Sequence, residues 1–224
     1  MRVTIKRQDG PDTTPYYQTF LYEGETRTTV AAILENINYK DDLFDENGTP
    51  SRRIRWECSC MQKMCGACAM VMNKKPILAC NEFVDPASTD LIVLEPLSKF
   101  PVISDLCVDR SIIATRLTEA QIYVGEKDKP NSKEFEQQYT VSKCLKCGLC
   151  LEICPNYIGD GNFSGAAFAN EAYLSHSLSK DRKKEIAKSY KKHFSKGCSK
   201  SLACRDTCPM KLETLSSIGY MNRK

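Results

Sequence analysis

Residues 144–155 read Cys144-Leu-Lys-Cys147-Gly-Leu-Cys150-Leu-Glu-Ile-Cys154-Pro155, four cysteines in C-x2-C-x2-C-x3-C-P spacing. Three thiolates spaced this way hold one 4Fe–4S cubane, and the fourth serves a neighbouring cluster. The run therefore needs a complement, and Cys198-x5-Cys204-x3-Cys208-Pro209 supplies it. Reciprocity assigns Cys144, Cys147, Cys150 and Cys208 to a 4Fe–4S cluster and leaves Cys154, Cys198 and Cys204 for the other. A full second run would carry a cysteine at position 201, where Ser201 stands. A cubane corner without its thiolate tends to lose its iron, so a 3Fe–4S cluster on three cysteines is expected. Fewer thiolates leave less negative charge and a higher potential. The alternative is that Ser201 ligates through oxygen and keeps a fourth iron.

Upstream lies Cys60-x4-Cys65-x2-Cys68-x11-Cys80, the plant-type 2Fe–2S spacing. Gly66, Ala67 and Ala69 are small enough for the backbone to wrap a cluster and aim amide N–H groups at its sulfurs, which raises its potential. The competing reading is a zinc knuckle, which usually prefers paired C-x2-C units or histidines.

Composition agrees with a metalloprotein. The 224 residues hold 13 cysteines but only two histidines and one tryptophan, with a formal net charge of +4. Mean hydropathy is −0.41, and no apolar run approaches the ~18 residues of a transmembrane helix. The start, Met1-Arg-Val-Thr-Ile-Lys, has no apolar core or cleavage site. The cysteines are thus expected to work in a reducing cytosol, where structural disulfides are rare, and an odd number cannot all pair. Cys58 and Cys107 are left over. Cys58 could compete for iron or be a small buried thiol, and Cys107 is expected in the core. His176 and His193 stand in polar, lysine-rich surroundings and are expected to be exposed.

Periodicity separates two territories. Met1–Gln8 and Tyr16–Tyr22 read as strands, Thr29–Asn38 as a short helix. Ala69–Met72 and Pro76–Ala79 read as strands across an Asn73-Lys-Lys hairpin, and Leu91–Leu94 as a last strand. Beyond this the pattern turns helical. Ser104-Asp105 looks like an N-cap opening a helix through Leu106, Ile113, Leu117 and Ala120. Gly165–Leu178 and Asp181–Phe194 read as helices, Gly125–Ser132 as a surface loop, and no strand is expected after residue 125. The boundary is expected in Pro96-Leu-Ser-Lys-Phe-Pro101 or just beyond, with domains 1–103 and 104–224. No internal repeat is evident.

This ordered set of motifs resembles the iron–sulfur subunit of succinate dehydrogenase and fumarate reductase (succinate:quinone oxidoreductases). The resemblance spans nearly the whole chain. It includes Arg55-Trp56-Glu-Cys-Ser-Cys60, Cys65-Gly-Ala-Cys68, Phe163-Ser-Gly-Ala-Ala167 and Cys204-Arg-Asp-Thr-Cys208-Pro209. It implies an α+β chain: an N-terminal β-grasp, plant-type ferredoxin domain followed by an all-α, bacterial-type ferredoxin domain. It also implies electron relay between the FAD of a flavoprotein subunit and quinone in a membrane-anchor subunit, with haem a further option in that anchor. Peripheral attachment to the cytoplasmic face of the cytoplasmic membrane follows. The dicarboxylate chemistry would belong to the flavoprotein, so no catalytic residue is assigned here. Another flavoprotein partner, as in a thiol-linked fumarate reductase, is the alternative, although the CCG repeats common there are absent. A one-cluster sensor or zinc protein fits less well, since three cluster motifs are present.

The chain departs from that family at the quinone end. Asn156-Tyr157-Ile158-Gly159 lacks the tryptophan that many members place after the CP run. Ser199 stands where many succinate dehydrogenases have histidine, and Asn222 replaces a usual C-terminal lysine. Pro155, Ser199 and Lys211 remain candidates, and the departures lean toward a low-potential quinone and fumarate reduction. Lys180–Lys200 carries nine Lys and Arg against Asp181 and Glu185. It is either a solvated helix face or a surface beside anionic lipid headgroups. Nucleic-acid binding is disfavoured by the small net charge and the missing aromatic ladder.

Overall fold

A computed structural model describes residues 1–129, 131–159 and 161–224. Pro130, within the expected 125–132 loop, lies outside the described residues. The chain forms two compact units, Met1–Asp109 and Arg110–Lys224.

The first unit contains β1 (Arg2–Arg7), β2 (Tyr16–Leu21), β3 (Thr28–Thr29), α1 (Val30–Asn38), β4 (Ala69–Met72) and β5 (Lys75–Leu78). It continues with β6 (Phe83–Val84), β7 (Leu91–Glu95), β8 (Val102–Ser104) and β9 (Cys107–Val108). Five strands form one sheet in the order β2-β1-β7-β4-β5. β1 runs antiparallel to β2 and parallel to β7, with Val3 opposite Ile92 and Ile5 opposite Leu94. The alternation that announced β1 sends Val3 and Ile5 into the core with Ile33, Leu34 and Ile37 of α1. Thr29 caps α1 by accepting from the Ala32 amide at 3.1 Å. Asn73 and Lys74, both with positive φ, make the β4–β5 turn, the geometry that matches strand twist in a two-residue hairpin.

Ser104-Asp105 does not open a helix. The pair ends β8 and turns into β9, with Asp105 at φ 47. Its carboxylate, fully buried, is occupied by Arg7, Arg52 and the Gln8 and Arg55 amides. The helix that follows starts only at Ser111, so Leu106 belongs to the hairpin.

The second unit contains α2 (Ser111–Glu119), α3 (Ser132–Ser142), α4 (Leu149–Glu152) and α5 (Gly165–Leu178). α6 (Lys183–Tyr190), α7 (Ala203–Asp206) and α8 (Thr214–Asn222) complete it. Among the described residues no strand follows β9. α5 is enclosed on all sides, as expected for a helix without a polar face. Phe168, Ala169, Ala172 and Tyr173 pack there with Val141, Ile186, Tyr190, Phe194 and Met221.

His176 belongs to this enclosed helix and is buried, contrary to expectation, with the Tyr220 hydroxyl 3.3 Å from Nδ1. Burial, helped by Lys224 and Lys183, depresses its pKa to about 4, so it is neutral near pH 7. His193 is only half-buried. α6 passes into a wide π-turn over Lys191–Ser195, and Lys184, Lys188, Lys191, Lys192 and Lys196 are exposed along this segment.

Gly165 fixes where α5 begins. It sits at φ +73, and a Cβ there would collide with the buried Leu151 side chain of α4. Gly165→Ala is expected to destabilise the helical unit by about 1–3 kcal/mol, read by chemical denaturation.

Candidate metal centres

Between α1 and β4 the chain forms an irregular loop whose left-handed residues, Met61, Lys63 and Gly66, curl it around Cys60, Cys65 and Cys68. Cys80 reaches the same place from the single 3-10 turn, Ala79–Asn81, after β5. Backbone amides point at all four sulfurs. Gln62 and Met64 donate to Cys60 Sγ at 3.5 and 3.2 Å, and Lys63 donates to Cys80 Sγ at 3.3 Å. Ala67 donates to Cys65 Sγ at 3.4 Å, and Cys80 N–H donates to Cys68 Sγ at 3.5 Å. The two amides hold the Cys60 thiol down to about 7. Burial pushes Cys68 up to about 12. A thiol set fenced by donor amides is suited to an anionic iron–sulfur core, whose sulfurs need such donors.

Cys58 stays outside this fence. It is exposed, with its sulfur 3.9 Å from the Glu35 carboxylate of α1, so it is not the buried thiol expected. Cys107 is half-buried in β9.

In the second unit one cavity is lined by Cys144, Cys147, Cys150, Cys204 and Cys208. Ala167, Asn170, Leu212 and Thr214 close it. Burial pushes the Cys150 thiol far up, reinforced by the neighbouring Cys147, Cys144, Cys208 and Cys204 sulfurs. Burial also raises Cys147 to about 11. Lys146 pairs with Glu171 of α5 at 2.9 Å beside Cys144.

A second cavity is lined by Cys154, Cys198, Cys204 and Ser201, with Phe163, Phe194, Leu202 and Ile218 as its apolar wall. The Cys204 thiol is raised by burial and then by Cys154 and Cys198, the two cysteines that line the same cavity. Among the described residues no three His, Cys, Asp or Glu side chains converge as they would on a single ion; the sulfurs stand around cavities instead.

The two cysteine runs, matched in the spacing of their cysteines and closing proline, also share one backbone course. Counting from Cys144 and from Cys198, the residues two and four positions on have positive φ: Lys146 and Gly148 in one, Lys200 and Leu202 in the other. Each run then enters a four-residue helix, α4 or α7, and each ends in Cys-Pro. Ser201 thus occupies the backbone position of Cys147. Gly148 has the permissive residue for its left-handed turn, whereas Leu202 holds φ 64 against its own side chain.

Of the quinone-site candidates, Ser199 lines the second cavity and its hydroxyl donates to Asn156 Oδ1 at 2.6 Å. Pro155 and Lys211 are exposed and line neither cavity. Arg116 secures the intervening segment by donating to the carbonyls of Gly159 and Phe163 at 2.6 and 3.1 Å. The spacing of the cysteines did not reveal Asn170 and Thr214 as cavity residues, because both lie on helices, α5 and α8, outside the cysteine runs themselves.

The 2Fe-2S iron-sulfur cluster binding domain family matches residues 2–115, and the 4Fe-4S dicluster domain family matches residues 140–212. The succinate dehydrogenase iron-sulfur subunit of Bacillus subtilis is 30% identical, over 100% of this chain and 91% of that one. The fumarate reductase iron-sulfur subunit of Haemophilus influenzae is 28% identical, over 92% of this chain and 85% of that one. Among solved structures, a chain of the Mycobacterium smegmatis Sdh1 complex in the apo form superposes with a TM-score of 0.75 at 19% identity. It covers 100% of this chain and 96% of that one, a likeness of fold. With both cluster domains matched in order and the alignment running end to end, the chain belongs to the iron–sulfur subunits of succinate dehydrogenase and fumarate reductase.

Proposed function

We propose that this chain relays single electrons between the FAD of a flavoprotein subunit and quinone in a membrane-anchor subunit, on the cytoplasmic face of the cytoplasmic membrane. Cys60, Cys65, Cys68 and Cys80 would hold 2Fe–2S in the first domain. Cys144, Cys147, Cys150 and Cys208 would hold 4Fe–4S, and Cys154, Cys198 and Cys204 would hold 3Fe–4S, both in the second domain. Such clusters supply reversible one-electron storage at potentials set by charge, hydrogen bonds and solvent exposure.

The observation that carries this reading is the interleaving of the two runs. Cys208 lines the cavity of Cys144, Cys147 and Cys150, while Cys204 stands with Cys154 and Cys198 and also borders the first cavity. The protein's own work is then positional. Peptide N–H groups offset charge on the first thiol set, and buried Leu149 and Leu151 keep water from the neighbourhood of Cys150. Ser199, at the cavity bordered by Ser201 and Leu202, is the quinone-side candidate with the most contact to a cluster cage, beside Pro155 and Lys211 as outer candidates. Among the described residues no helix is long and apolar enough to cross a membrane, so attachment would fall to the anchor. The exposed lysines of the 180–200 segment would add ~1 kcal/mol each beside anionic headgroups.

Iron analysis with EPR on anaerobically purified chain tests the assignment. About nine irons per chain and a paramagnetic 3Fe signal in the oxidised state are expected. Tightly bound zinc without iron would overturn it.

A further inference from the structure

We propose that the side-chain amide of Asn170 donates a hydrogen bond into the cage of Cys144, Cys147, Cys150 and Cys208, and that Thr214 holds the amide in that orientation. The inference rests on the 4Fe–4S assignment of that cage. Asn170 projects from α5 and lines the cavity, only 3% exposed. Thr214, the first residue of α8, lines it too and is 2% exposed. The two side chains meet, with Asn170 Nδ2 3.1 Å from Thr214 Oγ1. That leaves Asn170 Oδ1 buried without a hydrogen-bond partner.

A buried amide oxygen with no donor is costly anywhere. In a cavity lined by cysteine sulfurs it is worse, because ligand thiolates would be further acceptors and supply no donor. A half-turn about Cβ–Cγ removes both penalties, and oxygen and nitrogen of an amide are assigned from the hydrogen bonds they make. Thr214 Oγ1, which can donate as well as accept, then donates to Oδ1. The N–H2 group takes the place of the orphaned oxygen and faces the cage. Donors to cluster sulfur stabilise the reduced, more negative state and raise the potential. Asn170 is thereby a tuning residue, and Thr214 a positioning residue acting through it.

The test is an EPR-monitored redox titration of the full chain with its clusters in place. Asn170→Leu, which keeps volume and removes the donor, should make reduction of this cluster about tenfold less favourable, about 59 mV lower for one electron. The midpoints of the other two clusters should stay where they were. Thr214→Val should shift the same cluster in the same direction. An unchanged midpoint in an Asn170→Leu chain that retains full iron overturns the proposal.

Should Asn170→Leu fail to assemble, the native chain decides. Carrying asparagine labelled with 15N at the side-chain amide, it should show 15N coupling to the reduced 4Fe–4S cluster in pulsed EPR. Asn156 lines the second cavity rather than this one, and Asn81 adjoins Cys80 of the first centre. A reduced 4Fe–4S spectrum without that coupling overturns the role of Asn170 alone. A native chain with no such spectrum overturns the cluster assignment and this inference together.

Discussion

Ser201→Cys is expected to abolish the oxidised-state EPR signal of the third cluster and lower its potential. The signal would go because a fourth thiolate retains a fourth iron, and a 4Fe–4S cluster in its usual oxidised state is diamagnetic. The potential would fall because one more thiolate adds negative charge. The backbone is already prepared for this ligand. Lys200 and Leu202 flank Ser201 with the same left-handed turns that Lys146 and Gly148 place around Cys147, and Ser201 lines the cavity with Cys154, Cys198 and Cys204. Iron should rise from about nine to about ten per chain. An unaltered oxidised spectrum would mean that Ser201 already ligates through oxygen, or that the third cluster lies elsewhere.

Asp105→Asn should give the largest loss of stability, about 3–5 kcal/mol, because it leaves the Arg7 guanidinium charged and buried. Arg7 and Asp105 are both fully buried and meet at 3.0 Å. The same carboxylate accepts from Arg52 at 2.7 Å and from the Gln8 and Arg55 amides at 3.0 and 2.9 Å. Against a total of roughly 5–15 kcal/mol for a domain, that loss should appear as a sharply lowered denaturation midpoint for the sheet unit. Burial alone would raise the Asp105 pKa, but Arg52, the Arg55 amide, Arg7 and the Gln8 amide together hold it below the usual value. The folded pKa is therefore below the unfolded one. The contribution is complete above about pH 4 and fades as pH falls through the folded value. Wild type should lose stability over that acid range more steeply than Asp105→Asn. Since Arg55 leads directly into the Cys58–Cys60 stretch, the variant should also release iron from the first centre sooner.

That the cysteines gather around shared cavities was legible in their short spacings, and the strands around Val3, Ile5 and Ile92 were legible because alternation reports a half-buried sheet. What sequence concealed was decided by distant partners. Ser104-Asp105 has good cap chemistry, yet its carboxylate answers to Arg7 and Arg52, 98 and 53 residues away. α3 is dominated by Lys, Glu and Gln and offers only Val141 as a buried side chain, so it carried almost no apolar signal. α8 is interrupted by Gly219 and rich in serine, and it is held by Tyr190 donating to Asn222 at 2.9 Å. His176 has polar sequence neighbours but is buried, because in space α5 has helices all round it. Only part of the backbone repeat was legible: the cysteines and Cys-Pro endings of the two runs match in spacing, whereas Leu202, unlike Gly148, gives no sign of a left-handed turn.

The interleaving of the two runs also orders events during biosynthesis. In the proposed assignment neither cage of the second unit belongs to one segment: Cys208 completes the earlier cage and Cys154 the later one. A nascent chain halted anywhere before residue 198 would expose the sulfurs of both cages with neither closable. Loading of iron and sulfide must then wait for synthesis to reach Cys204 for the later cage and Cys208 for the earlier one, and the two clusters become closely spaced steps of one checkpoint in maturation.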